Sequence, residues 1–283
     1  MTAALGEPGA PGNTTLPACA EPPAGPGRPG RLILVPNALD LGAEPQPLSA
    51  VLPLGVLQIA AGLAHWLVED AKTARAFLNR VNQSVPLRET LQSLHITELP
   101  RPPKGRRDHG RDGTPTARPP LTELLAPARA GHDIGLLSEA GLPAVADPGA
   151  AVVTAAHGLG LEVLPLPGAS SLLLALAASG LEGQSFAFVG YLPQDPAARV
   201  ERIRELEGTS KRLRQTQIFI ETPYRNSALA AALIESAAPT TRLSISLALT
   251  MPEGWSRTAT VAAWRTHPPR LSERLPAVFL LQA

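Results

Sequence analysis

Short runs of apolar, β-branched and aromatic residues alternate along this chain with longer stretches in which apolar positions recur every three or four residues. Runs at 32–35, 64–68, 134–137 and 161–166 read as strands, the first stopped by Pro36. Between them, helical spacing covers 50–62 in spite of Pro53 and Gly55, then 71–80, 121–130 and 149–157. The helix over 71–80 sets Ala74, Phe77, Leu78 and the following Val81 on one face. The stretch 170–179 is apolar all round, which predicts a helix packed inside the molecule.

After a turn-like 180–183, strands are expected over 186–189, 216–220, 242–248 and 277–281, with a further segment at 256–261. Helices are expected over 197–207, which is strongly charged, and over 226–237. Strands and helices in alternation predict an α/β fold. A boundary near residue 184 divides it into an N-terminal α/β domain, 31–184, and a C-terminal α/β domain, 185–283. The second has four or five strands and only two clear helices, which predicts a more mixed sheet.

Two segments break the alternation. Residues 1–30 hold 13 Pro or Gly and almost no large apolar side chain, so burial cannot offset the entropy of ordering them, and a disordered tail is expected. Cys19 within it reads as an ordinary exposed thiol. A second disordered stretch is expected over 100–120, PRPPKGRRDHGRDGTPTARPP, whose residues 101–118 carry six Lys or Arg against two Asp, a local +4. Such a run either meets RNA phosphates or is simply solvated.

Charge and cysteine content narrow the function. Lys and Arg total 25 against 24 Asp and Glu, a formal +1, so no global field holds the protein on nucleic acid or an acidic membrane, and any such contact must be local. A single cysteine excludes an intramolecular disulfide and any cysteine-built metal site; with no HExxH either, no metal is expected, and a cytoplasmic protein is. No run of 18 apolar residues occurs, and the N-terminus lacks the basic start and apolar core of a secretion signal. Neither a membrane span nor export is expected.

Walker A, GxSxG and EF-hand patterns are missing, and no GxGxxG follows a strand, which removes the common nucleotide cradles. Two strand-end loops stand out instead. In an open parallel sheet, ligands bind beyond the carboxyl ends of strands, so the long loop 138–149, SEAGLPAVADPG, is placed to hold a small molecule. Within it Asp147 and Pro148 have the local form of a helix N-cap and first helical residue. Glu139 is either an acceptor for a proton or ligand hydroxyl, or a solvated carboxylate. The second loop, 165–171, PLPGASS, opens a helix; Gly168 would let the backbone approach a ligand, and Ser170 and Ser171 offer hydroxyls beside free helix amides. Ser170 taken alone reads as a plain N-cap.

SEAGLPAVADPG (138–149), PLPGASSLLLALAASGL (165–181), FAFVGYLP (186–193) and IETPYR (220–225) together resemble, in order and spacing, the tetrapyrrole methylase superfamily of S-adenosylmethionine-dependent methyltransferases. The wording is most similar to the bacterial branch that methylates a cytidine ribose 2′-hydroxyl in small-subunit ribosomal RNA, and the resemblance runs from about residue 32 to 263. It implies two α/β domains of the tetrapyrrole methylase type with S-adenosylmethionine folded into the cleft between them, no metal, a homodimer, and small-subunit ribosomal RNA as partner. It puts Ser138, Glu139, Ala140, Leu142 and Val145 around the methionine and ribose of the cofactor. Ser170 and Ser171 would contact it from the next loop, while Tyr191, Glu221, Pro223, Leu249 and Thr250 would line the second-domain side.

The chain departs from the family pattern at three places. TPIGNL after the first strand is here Pro36-Asn37-Ala38-Leu39-Asp40-Leu41-Gly42, preceded by Val35; EDTR is Glu69-Asp70-Ala71-Lys72; and ARELTK is Ser246-Leu247-Ala248-Leu249-Thr250-Met251, with three charged side chains lost. The changes fall on the substrate side, leaving Asp40 and Glu69 as candidate general bases for a hydroxyl nucleophile. They also leave two alternatives to RNA methylation: a non-catalytic S-adenosylmethionine-binding scaffold or regulator, and methylation of a tetrapyrrole or other small molecule.

Overall fold

The computed structural model describes residues 28–40, 47–100 and 120–283. Cys19, nearly all of the expected tail, Leu41, Gly42 and the whole basic run 101–118 lie outside the described residues.

The first half builds a five-stranded, all-parallel sheet in the order β3-β2-β4-β1-β5, from β1 (Leu32–Val35), β2 (His65–Val68), β3 (His95–Glu98), β4 (Ile134–Leu137) and β5 (Val163–Pro165). β4 is buried at all four positions, as a strand covered on both faces must be. One face is covered by α1 (Leu54–Gly62) and α2 (Ala71–Ser84), whose Leu57, Phe77 and Leu78 pack with Trp66 and Val35. On the other face, α3 (Leu121–Leu124), α4 (Ala126–Arg129) and α5 (Ala150–Gly158) bring Leu125, Ala128 and Val152 against Leu32, Leu67 and Ile134. α2 starts where Asp70 accepts from the Thr73 amide at 2.7 Å, a side-chain cap on an otherwise orphan donor.

A second sheet, in the order β6-β7-β10-β8-β9, is built from β6 (Phe186–Tyr191), β7 (Thr216–Glu221), β8 (Arg242–Leu247), β9 (Trp255–Thr260) and β10 (Ala277–Gln282). β6 and β7 run parallel and the other pairs antiparallel, the mixed sheet expected. One face meets α7 (Pro196–Leu213), α8 (Asn226–Ser236) and α9 (Val261–Thr266) through Ile203, Leu229, Trp264 and the stacked rings of Phe219 and Phe279. The opposite face receives α6 (Ser171–Ser179), whose Leu172, Ala175 and Leu176 pack with Ile218, Val278 and Leu280. The boundary expected near residue 184 therefore falls after a helix that already packs on the second sheet.

Several local expectations change. The helix over 121–130 is broken at Leu125 into α3 and α4, because Pro127 at the start of α4 has no amide to continue the ladder. β3, His95–Glu98, carries no apolar alternation and is mostly exposed on the sheet edge, so its sequence does not announce a strand. The segment at 256–261 is the outer strand β9, followed by α9, whose first turn Thr260 caps. α7 extends to Leu213 on an Asp195 N-cap with Pro196 in its first turn. α6 is not enclosed: Leu173 is 52% and Leu174 37% exposed.

Candidate active site

The strand order β4-β1-β5 sets three carboxyl-end loops side by side, and parallel pairing points all three out of the same end of the sheet. Asn37, just past β1, ties the first two loops together. Its amide donates to the Gly141 carbonyl at 2.9 Å and its carbonyl accepts from the Gly141 amide at 3.2 Å. Its side-chain Nδ2 donates to the carbonyls of Ser138 and Glu139 at 3.2 and 3.0 Å, while Oδ1 accepts from the Ala38 amide at 2.8 Å. Buried Asn37 thus shapes the 138–149 loop without facing the ligand space, a role that only the changed first-strand motif hinted at. Gly141 takes φ +70°, and Ala144 and Ala146 lie at φ +67° and +65°, a left-handed backbone that costs a non-glycine residue about 1 kcal/mol and is concentrated at ligand-holding loops.

The third loop corrects the expectation for Gly168. A Cβ there would lie 2.2 Å from Pro36 Cβ, so the glycine lets this loop close against the end of β1; the close approach is to Pro36. Asp147 is likewise no helix cap: α5 begins at Ala150 with Gly149 in the cap position and no side-chain cap. Burial raises the Asp147 carboxyl above its ordinary pKa, Glu139 adds to this, and a hydrogen bond with Ser138 opposes it.

These loops face the second sheet across a cleft of about 380 Å³, within the range of small-molecule sites. Glu139, Ala140 and Leu39 line it from the first unit, and Ser171 from the start of α6. Tyr191, Glu221, Pro223 and Leu249 line it from the second, over an apolar floor that includes Ile220, Ala277 and Val278. Seven of the expected cofactor contacts are thereby brought together: Glu139, Ala140, Ser171, Tyr191, Glu221, Pro223 and Leu249. The other five do not line the cleft. Ser138 and Ser170 are buried behind it, Leu142 packs near Gly168, Val145 is exposed, and Thr250 sits in a left-handed turn at φ +72° beyond β8.

The electrostatics of the cleft are carboxylate-rich. Glu221 Oε1 accepts from Thr222 N at 2.7 Å, Thr222 Oγ1 at 3.2 Å, and Arg225 Nε and Nη2 at 3.0 and 2.5 Å. Its twin Oε2 is buried with no hydrogen-bond partner, an orphaned acceptor of the kind a bound donor or cation would relieve. Partial burial, then the charges of Glu221 and Asp147, raise the Tyr191 hydroxyl above its usual value, against an opposing pull from Arg225.

The two candidate bases differ sharply. Asp40 is engaged in a two-point ion pair with Arg80 of α2, at 2.7 and 3.3 Å. Glu69, at the end of β2, accepts from the Glu139 amide at 3.3 Å through Oε2, while Oε1 is buried without a partner. Burial first, then the negative charges of Asp147 and Glu139, pushes Glu69 up to about 7, with the hydrogen bond from the Glu139 amide opposing.

Comparison with known proteins gives this geometry a context. Residues 71–263 match the family model of the tetrapyrrole (corrin/porphyrin) methylases. Ribosomal RNA small subunit methyltransferase I of Mesorhizobium japonicum is 36% identical over 145 residues, 51% of this chain and 48% of the relative. The protein of the same name from Bacillus subtilis is 34% identical over 148 residues, 52% and 47% of the two chains. The chain thus spans about half the length of the curated relatives it matches. Among solved structures, the methyltransferase CobJ superposes with a TM-score of 0.51 at 18% identity, over 89% of this chain and 94% of its own. A conserved hypothetical protein of Aeropyrum pernix K1 gives 0.52 at 15% identity, over 90% and 85%. At these identities, the superpositions speak for a shared fold of two α/β domains.

Proposed function

Because the chain belongs to the tetrapyrrole (corrin/porphyrin) methylases, we propose that it is an S-adenosylmethionine-dependent methyltransferase acting on a ribose 2′-hydroxyl of small-subunit ribosomal RNA, a cytidine being the target. The observation that carries the reading is the cleft itself: loops of the first sheet and strand ends of the second meet around a space sized for a nucleoside-bearing ligand, walled by residues of the matched motifs. The orphaned Glu221 Oε2 and the hydroxyl and amides at the start of α6 suit the donors and the carboxylate of S-adenosylmethionine. When bound, that cofactor supplies an electrophilic methyl group.

The chain's own contribution is positioning and exclusion of water. Asn37 fixes the 138–149 loop, Leu39 and Leu249 close the cleft with apolar surface, and Glu69 supports the loop from outside the cleft lining by accepting from the Glu139 amide. Asp40 holds the β1 loop to α2 through Arg80 and takes no part in proton transfer. The RNA approaches from the side where the basic run 101–118 begins, since β3 ends in the same direction as β2 and Leu99 donates to Val68 at the sheet's carboxyl end. The protein works in the cytoplasm, where that substrate is, and as a homodimer: Leu173 and Leu174 of α6, and Phe186 and Phe188 of edge strand β6, leave exposed apolar side chains that a second copy would cover.

Purified protein with labelled S-adenosylmethionine and small-subunit RNA fragments tests the reading. Label should enter a ribose 2′-oxygen, and removing residues 101–118 should weaken RNA binding and lower its salt slope by about one for each phosphate the shortened chain no longer meets. No heat of cofactor binding at millimolar concentration in EDTA would overturn it.

A further inference from the structure

The chain has two tyrosines, and both belong to the second-sheet side of the cleft. Tyr191 ends β6 and pairs with Ile220 of β7, while Tyr224 lies in the short 3-10 turn Pro223–Arg225 that follows β7. Tyr191 is part of the cleft lining. Tyr224 is not, although its neighbours Thr222 and Pro223 are, so its ring stands just outside the opening. At 66% it is more exposed than any other large apolar side chain among the described residues.

A single exposed aromatic ring is ordinary, but this one is held in place. The guanidinium of Arg225 lies over it, 5.6 Å from the ring centre. That guanidinium is itself fixed, because Nε and Nη2 both donate to Glu221 Oε1 and Nε also to Thr222 Oγ1 at 3.1 Å. The ring is thus tethered through a cation to a carboxylate side chain only 1% exposed, and most of its surface is left open to solvent.

A cleft of about 380 Å³ holds one nucleoside-sized ligand, which on the reading above is the methyl donor. The acceptor ribose must then reach the methyl group from the opening. A ribose within a stacked strand cannot do so; the target nucleotide has to leave its stack, and its base comes to lie outside the filled cleft. Every base has a π-face that stacks on an aromatic ring. We infer that Tyr224, backed by Arg225, is the platform on which the base of the target nucleotide stacks while its ribose enters the cleft. The inference rests on the RNA methyltransferase reading above. Tyr224 is a positioning residue: it binds and orients the acceptor, moves no proton, and does not tell one base from another by hydrogen bonding.

Cofactor calorimetry, RNA binding and methylation by the full chain and its Tyr224→Ala and Tyr224→Phe variants test this. Labelled S-adenosylmethionine first locates the methylated nucleotide in small-subunit RNA fragments, and a second RNA then lacks the base at that nucleotide alone. Tyr224→Ala should bind the cofactor like the wild-type protein, which also shows that the variant folds. Its KM for RNA should rise about tenfold, equivalent to about 1.4 kcal/mol, with kcat at saturating RNA within about twofold of wild type. Tyr224→Phe keeps the ring and should keep the wild-type KM. Removing the base from the RNA should cost the wild-type protein and Tyr224→Phe about tenfold more affinity than it costs Tyr224→Ala, since the unstacking of the RNA is common to all three and cancels. An equal loss in all three proteins, or an unchanged KM in Tyr224→Ala, would overturn the platform and leave the methyltransferase reading standing. Cofactor binding with no label entering RNA would overturn the RNA reading, and the platform with it.

Discussion

Asn37 and Gly141 exchange two backbone hydrogen bonds, at 2.9 and 3.2 Å, joining the loop after β1 to the loop after β4 in an isolated antiparallel bridge. The pairing holds Glu139 and Ala140 against the cleft, and the Asn37 side chain completes it by donating to the two carbonyls just upstream of Ala140.

Replacing Asn37 by Ala should therefore act at a distance. A buried carbonyl at Ser138 and a partly buried one at Glu139 lose their donor, at a cost of about 1–3 kcal/mol in stability, and cofactor affinity should fall several-fold although Asn37 does not line the cleft. Urea denaturation and calorimetry read the two effects. Unchanged affinity in a destabilised variant would make the clamp purely structural.

Gly168→Ala should destabilise the protein by about 1–3 kcal/mol, because the new Cβ meets the ring of Pro36 and one of the two loops must move. Pro36→Gly in the same chain should recover part of the stability, and a double-mutant cycle should show favourable coupling above about 0.5 kcal/mol. Additive effects would place the constraint on Gly168 elsewhere.

Glu69 gives stability a dependence on pH of definite sign. Its folded pKa, about 7, lies above the ordinary value of 4.5, so between these limits the folded state binds more protons and stability falls as pH rises. Glu69→Gln should abolish that fall: matched urea midpoints at pH 4.5 and a higher midpoint than wild type at pH 8. The opposite sign would mean that the carboxylate is stabilised in its charged form.

The amino end of the first sheet responds to acid in the reverse sense. His65 opens β2 directly opposite His95 of β3; their rings stack at 4.8 Å, with His132 at 5.1 Å. Burial first, then the charges of His95 and His132, lower the His65 pKa against a weaker pull from Glu89. The unfolded chain thus binds the proton more readily, and stability drops as pH falls through 6.5. His65→Asn should lessen the drop between pH 7.5 and 5.5, as thermal melts at the two pH values would show.

The amino-acid sequence by itself determined the elements whose signals are local. β1 and β4 are short apolar runs and β7 has a β-branched and aromatic centre, α2 has a one-sided apolar face, and the strand-end loops carry their glycines and serines in a pattern that placed them at a ligand. Only the tertiary structure decided what depends on residues far apart in the chain. Asp147 leaves the cap position that its Pro148 neighbour suggests because α5 starts only at Ala150 and Ser138 hydrogen-bonds the Asp147 carboxylate, and Gly168 is small because Pro36 is there. β3 has no apolar alternation and becomes a strand only by pairing with β2. Asn37 reaches carbonyls 101 and 102 residues away, and the cleft itself exists only where two separately folded sheets meet. Local propensity is written in neighbouring side chains, whereas a cleft and its charge are sums over residues that chain topology alone brings together.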